Sequence, residues 1–152
     1  MSGVVLVSGF LGVMALITGA IASNGRNKMD TTSAALAQMV LERVSQFPAN
    51  SSSTTSITDC AGSSWTISAA AGGAPLLNGA VDFTQTSVSQ YSMQYAVCDA
   101  AGRQTTYDVR WNVAAATTHT TLVTVSARPG GAASGNRRFF ALPVTLSGLV
   151  GQ

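Results

Sequence analysis

Charge is scarce in this chain. Aspartate, glutamate, lysine and arginine make up 9% of 152 residues, against about 25% in an average soluble domain. There are one glutamate, one histidine and two cysteines. A histidine-rich metal site and a four-cysteine zinc site are therefore excluded. A Ser-His-Asp machine would have to use His119. The net charge of +2 does not call for a polyanion partner. No ionisable side chain precedes Arg26. What covers the surface instead is hydroxyl: 18 serines and 17 threonines, with 15 glycines beside them. Such a composition suits an extracytoplasmic or assembled protein better than a freely soluble cytosolic enzyme.

The length allows one modest domain, and the 46% hydrophobic content allows a packed core. Val4 to Ala22 reads VVLVSGFLGVMALITGAIA, 19 residues, close to the roughly 20 that cross a bilayer core as a helix. Three readings compete for it. Ala20-Ile21-Ala22 before Ser23 resembles the cleavage site of a signal peptide. The run also fits a single-span anchor, or a buried helix packed against copies of itself. In the last two readings Val4, Val5, Leu6, Val7, Phe10, Leu11, Val13, Met14, Leu16, Ile17 and Ile21 form the membrane or filament surface. Further on, Leu36, Val40, Val44 and Phe47 recur at helical spacing, with Met39 beside them. Pro48 stops this amphipathic helix. No proline interrupts residues 1 to 47, so one helix of about 65 Å is expected at 1.5 Å per residue. The expected N-terminal unit is 1–48, with 1–25 as transmembrane or filament core and 29–47 amphipathic.

The rest of the chain has a different period. Residues 49–56, ANSSSTTS, read as a polar connector, and 57–152 as a β-rich domain. Trp65 and Ile67, then Tyr91, Met93, Tyr95 and Val97, alternate with small or polar residues. Tyr107, Val109, Trp111 and Val113 alternate with Asp108, Arg110 and Asn112, and Thr121, Val123 and Val125 follow the same rule. Arg128 to Asn136 reads as a long loop, and Phe139 to Leu146 as a final edge strand because of Pro143. Short turns between consecutive strands predict an antiparallel meander. The expected fold is α+β: a long hydrophobic-then-amphipathic helix packed on a four-stranded antiparallel sheet. Leu36, Val40, Val44 and Phe47 should meet Tyr95, Trp111 and their neighbours.

That layout, with Gly9-Phe10-Leu11-Gly12 in the apolar run and LAQMVLERV at Leu36–Val44, resembles the type IV pilin and pseudopilin family. Within it the chain is most similar to PilV-like minor pilins and the I-type pseudopilins of type II secretion. The resemblance implies a structural subunit rather than an enzyme. It implies no cofactor and no small-molecule substrate, with other pilin or pseudopilin subunits as partners. It also implies residence in a bacterial inner membrane with a periplasmic domain, before passage into a pilus or pseudopilus. The family's basic leader, cleavage glycine and fifth-position glutamate have no counterpart here, where position 5 is Val5. An in-frame upstream extension is therefore expected. The rival from another class is a secreted, β-rich adhesive module released by cleavage after Ala22.

Two cysteines, Cys60 and Cys98, fit neither a CxxC nor a zinc spacing. The oxidising compartment implied by the resemblance favours a disulfide between them. His119 lies among threonines in a turn, with no GxSxG-type nucleophile, and reads as solvated. Asp59, Asp82, Asp99 and Asp108 lack the dense spacing of a Ca²⁺ loop, so no metal site is expected. Arg137-Arg138-Phe139-Phe140 is too small a basic set for a nucleic-acid groove. Asn50-Ser51-Ser52 is a formal glycosylation sequon in what otherwise reads as a plain connector.

Overall fold

The computed structural model describes residues 24, 27–130 and 142–151. Helix α1 covers 27–45. Among the described residues nine strands follow: β1 (Thr54–Thr58), β2 (Ser64–Ser68), β3 (Gly72–Gly73), β4 (Leu76–Leu77), β5 (Ala80–Val81), β6 (Ser92–Cys98), β7 (Gln104–Ala115), β8 (Thr120–Gly130) and β9 (Val144–Gly151).

The main sheet is antiparallel and five-stranded. Its order is β3-β7-β8-β9, with β6 also pairing β7. β7 is central because its alternation is the longest in the chain. It pairs with β8 from Thr106↔Gly130 to Ala115↔Thr121. Along its other edge β6 runs from Ser92↔Arg110 to Cys98↔Gln104, and β3 takes over at Asn112 and Val113. That handover needs glycine. A Cβ on Gly73 would stand 2.5 Å from the Trp111 carbonyl oxygen, and its φ of +120° is one that L side chains rarely adopt. β1 and β2 make a separate hairpin, and β4 and β5 a third, smaller sheet closed by Asn78-Gly79. Both turn residues there have positive φ, the type I′ signature of that dipeptide.

The two faces of the main sheet differ in chemistry. On one, Val109, Trp111, Val113, Val123, Val125 and Ala127 form a continuous core with Leu36, Ala37, Val40 and Val44 of α1. Ile57 and Ile67 of the β1–β2 hairpin join them. On the other lie Asp108, Arg110, Asn112, Thr124 and Ser126, and the segment from Ala74 to Gln90 bonds to three of them, Arg110, Asn112 and Ser126. Period two thus sends apolar residues to the helix and polar ones to the strap.

The expectation of a long helix on a four-stranded sheet is corrected. Among the described residues there is one short helix, 27–45, and the fold is mostly β, with sheets of five, two and two strands. The extra strands come from segments without a strand signal. Gly72-Gly73 joins β7 by backbone approach, and Thr54–Thr58 pairs out of the Ser/Thr-rich stretch that reads as connector. The last strand begins at Val144, after Pro143, and Arg128–Gly130 belongs to β8 rather than to a loop. The apolar positions Val4, Val5, Leu6, Val7, Phe10, Leu11, Val13, Met14, Leu16, Ile17 and Ile21 lie outside the described residues.

Candidate functional site

Helix α1 sits on the main sheet through one face. Leu36, Ala37, Val40 and Val44 are buried at spacings of one, three and four, the stripe one helix face presents. Leu41 lies against Gly148 of β9, where a Cβ would stand 3.1 Å from the leucine Cδ1. The helix ends at Ser45, three residues before Pro48, and Asn50 anchors the chain beyond it. The Asn50 N–H donates to Thr121 Oγ1 at 3.0 Å. Its Nδ2 donates to the carbonyls of Thr117 and Thr118 at 3.2 and 3.0 Å. The sequon asparagine therefore fastens the helix end to the β7–β8 turn. At the other end, residues 27–31 are exposed, and Met29 keeps 42% of its surface in solvent. From Ser33 onward the helix is docked. Ser33 itself is fully buried, with its hydroxyl unpartnered among the described residues.

A second constellation lies at the β1–β2 and β6–β7 turns. Cys60 and Cys98 form a disulfide with Cα atoms 5.9 Å apart. Asp59 immediately precedes the first cysteine and Asp99 immediately follows the second. Both open the same turn, Asp-x-Ala-Gly, with Gly62 and Gly102 at positive φ. Asp59 Oδ1 accepts from Ala61 N and Ser63 N, and Asp99 Oδ1 accepts from Ala101 N and Arg103 N. Asp59 Oδ2 also accepts from Trp65 Nε1 at 3.0 Å and Ala96 N at 3.3 Å. The indole N–H is the main cause that holds the Asp59 carboxyl below its ordinary value. Partial burial opposes it, and the Ser63, Ala96 and Ala61 amides assist. Asp99 is lowered by the Arg103 amide first and the Arg103 side chain second.

The third constellation is beneath the strap. Asp108 takes both Nε and Nη2 of Arg110 at 3.0 Å, and Nη2 of Arg128 at 3.2 Å. Arg110 Nη1 donates to the Gln85 carbonyl at 2.7 Å. The Phe83 ring lies 4.2 Å from the Arg128 guanidinium carbon and 5.1 Å from that of Arg110. The two buried charges, Asp108 and Arg110, are partnered, as burial requires, and the partly exposed Arg128 adds a second cation. The set's chemistry is that of a clamp.

The expected core residues come together. Leu36, Val40, Val44 and Trp111 are buried in one cluster, with Phe47 and Tyr95 half-buried against it. His119 sits in the exposed β7–β8 turn, where its backbone N–H donates to Thr117 Oγ1. Asp59, Asp82, Asp99 and Asp108 stay apart, each bonded to its own neighbours. Among the described residues no three His, Cys, Asp or Glu side chains gather as a metal site. Arg137, Arg138, Phe139 and Phe140 lie outside those residues. Sequence reasoning missed the doubled turn and the Phe83–Arg110–Arg128 clamp. The first had a signal, the repeated DCAG and DAAG. The second had none, because its members lie far apart in the chain.

The expectation of an inner-membrane location is corrected as well. Among the described residues no helix is long and apolar enough to cross a membrane. The apolar stripe of α1 is covered by the sheet. Compared with family models, curated proteins and solved structures, the chain has no match.

Proposed function

We propose that this chain is a structural subunit, a minor pilin or pseudopilin, that enters a filament through its N-terminal segment. One observation carries the reading: the helix is docked on the sheet by 33–44 and stands clear of the domain over 27–31. The docked part makes helix and sheet one body. The exposed start leaves side chains of that helix available to a neighbouring subunit. The sequence ahead of it contains the uncharged Val4–Ala22 run, with Gly9, Gly12 and Gly19 in it, the small-residue content that close packing in a filament core calls for. Two further features support a structural role. The Cys60–Cys98 disulfide fits an oxidising compartment. The buried Asp108 and Arg110 are bonded to groups of this chain, which ties the Phe83–Gln85 segment to the sheet.

The test is made in the source cells. The chain carries a C-terminal epitope tag, and filaments are sheared from the surface and examined by immunogold microscopy. The tag should lie on or co-sediment with filaments, and a chain beginning at residue 27 should not enter them. Tagged protein found only as a free monomer with its N-terminus at Ser23 would overturn the proposal and establish the secreted module instead.

A further inference from the structure

The β1–β2 hairpin shares no ladder with the main sheet, yet it covers part of the core with Ile57 and Ile67. A two-stranded hairpin alone is marginal in water, so its attachment matters. At its turn two fastenings reach the end of β6. One is the covalent Cys60–Cys98 bond. The other is polar and centres on Ala96. The Ala96 N–H donates to Asp59 Oδ2 at 3.3 Å, while Cys60 N donates to the Ala96 carbonyl at 3.4 Å. The Ser68 end of the hairpin is tied separately, by the Trp111 Nε1–H on the Ser68 carbonyl at 3.1 Å. We propose that the two fastenings at the turn are coupled locks, one reducible and one acid-labile, and that the turn end of β1–β2 leaves the sheet only when both are open.

The acid lock follows from the partners of Asp59. Ala61, Ser63, Trp65 and Ala96 all present N–H groups to it. A carboxylate accepts all four. A protonated carboxyl carries an O–H that needs an acceptor, and these partners offer none. A proton on Oδ2 displaces the Trp65 and Ala96 donors, and one on Oδ1 displaces the turn amides of Ala61 and Ser63. The lowered Asp59 pKa agrees with this geometry. The other titratable groups on the elements packed here are Tyr95, Asp99 and Arg103. The Tyr95 hydroxyl donates to the Thr58 carbonyl at 3.4 Å. Asp99 and Arg103 are paired with each other at 2.8 Å. Asp99 is the internal control, because it caps the same turn but its bonds stay within its own loop. The two locks also reinforce each other. A carboxylate that holds the hairpin in place holds Cys60 near Cys98, so each lock favours closure of the other.

The experiment uses the full chain in glutathione redox buffers at neutral pH, with disulfide content read by thiol alkylation and mass. Asp59→Asn should lower the disulfide formation constant about tenfold or more, and Asp99→Asn by less than about threefold. No change in Asp59→Asn, or equal changes in both variants, would overturn the proposal. A second measurement stands if Asp59→Asn fails to fold: hydrogen exchange in the Cys60→Ser/Cys98→Ser double variant, corrected for intrinsic rates. At neutral pH its residues 54–68 should match the wild type. On acidification they should exchange about tenfold faster before β7 and β8 change, while the wild type holds. Loss of protection at neutral pH, loss in all strands together, or the same release in the wild type would each refute the two-lock arrangement.

Discussion

Replacing Val40 by alanine tests the docking of α1 on the sheet, on which the functional reading rests. Val40 is fully buried between the helix axis and the sheet. Two methyl groups are lost, at about 0.8 kcal/mol each for transfer. The space they leave adds on the order of 1 kcal/mol, because packed neighbours relax only in part. Alanine returns up to about 0.5 kcal/mol through its higher helix propensity. The net expectation is a loss of about 2 kcal/mol, read by urea unfolding of the full chain followed by circular dichroism. Gln38→Ala is the matched control. Gln38 is exposed and bonds to Glu42 at 3.0 Å, so its change should stay within about 0.5 kcal/mol. Phe47→Ala would cost about 3–5 kcal/mol at full burial. Phe47 is half-buried, and roughly half that loss is expected. If Val40→Ala behaves like Gln38→Ala, the stripe does not face the sheet, and the reading of helix and sheet as one body is wrong.

Gly73→Ala forces a side chain into a φ of +120° and against the Trp111 carbonyl. It should cost more than about 3 kcal/mol by strain and overlap together, measured by thermal unfolding. Asp108→Ala leaves the Arg110 guanidinium buried without its carboxylate. A loss of about 3–5 kcal/mol is expected in the same assay, with Arg128→Ala milder because that side chain is partly exposed. Asp59, Asp82 and Asp99 are all lowered from 3.8. Their contribution is therefore complete above that value and is lost as pH falls through their lower folded values. Stability should be flat from neutral pH to about 5 and drop below about 4; a drop centred above pH 5 would contradict it.

The alternating strands were legible because each half-buried strand repeats every two residues. Tyr107 to Val113 and Thr121 to Val125 have that alternation, and both lie in long strands that bury their apolar members. The stripe Leu36–Val44 was legible for the same reason at the helical period. Thr54–Thr58 was not, because hydroxyl side chains give no contrast between faces, and only Ile57 points to the core. β3, β4 and β5 have two residues each, too short for any period. The covered polar face was illegible for a deeper reason. Asp108, Arg110 and Asn112 have the pattern of solvent-facing residues, and the cover arrives from the segment between Ala74 and Gln90. The cysteine pair was reached through the compartment that the family resemblance implied, although the repeated DCAG and DAAG turns held a local clue.

The inward commitment of the carboxylates has a consequence for how this molecule meets others. Of the six acidic side chains in the chain, Asp59, Asp82, Asp99 and Asp108 are each bound to internal donors. Asp30 and Glu42 belong to the helix, where Glu42 accepts from Gln38. Those bonds leave the negative charges in place but fix where each one sits. A change at any of the four takes a partner away from turn or buried donors, so it costs the fold before it alters a surface. What is left to meet a neighbour is mostly hydroxyl, which recognises only at hydrogen-bond range.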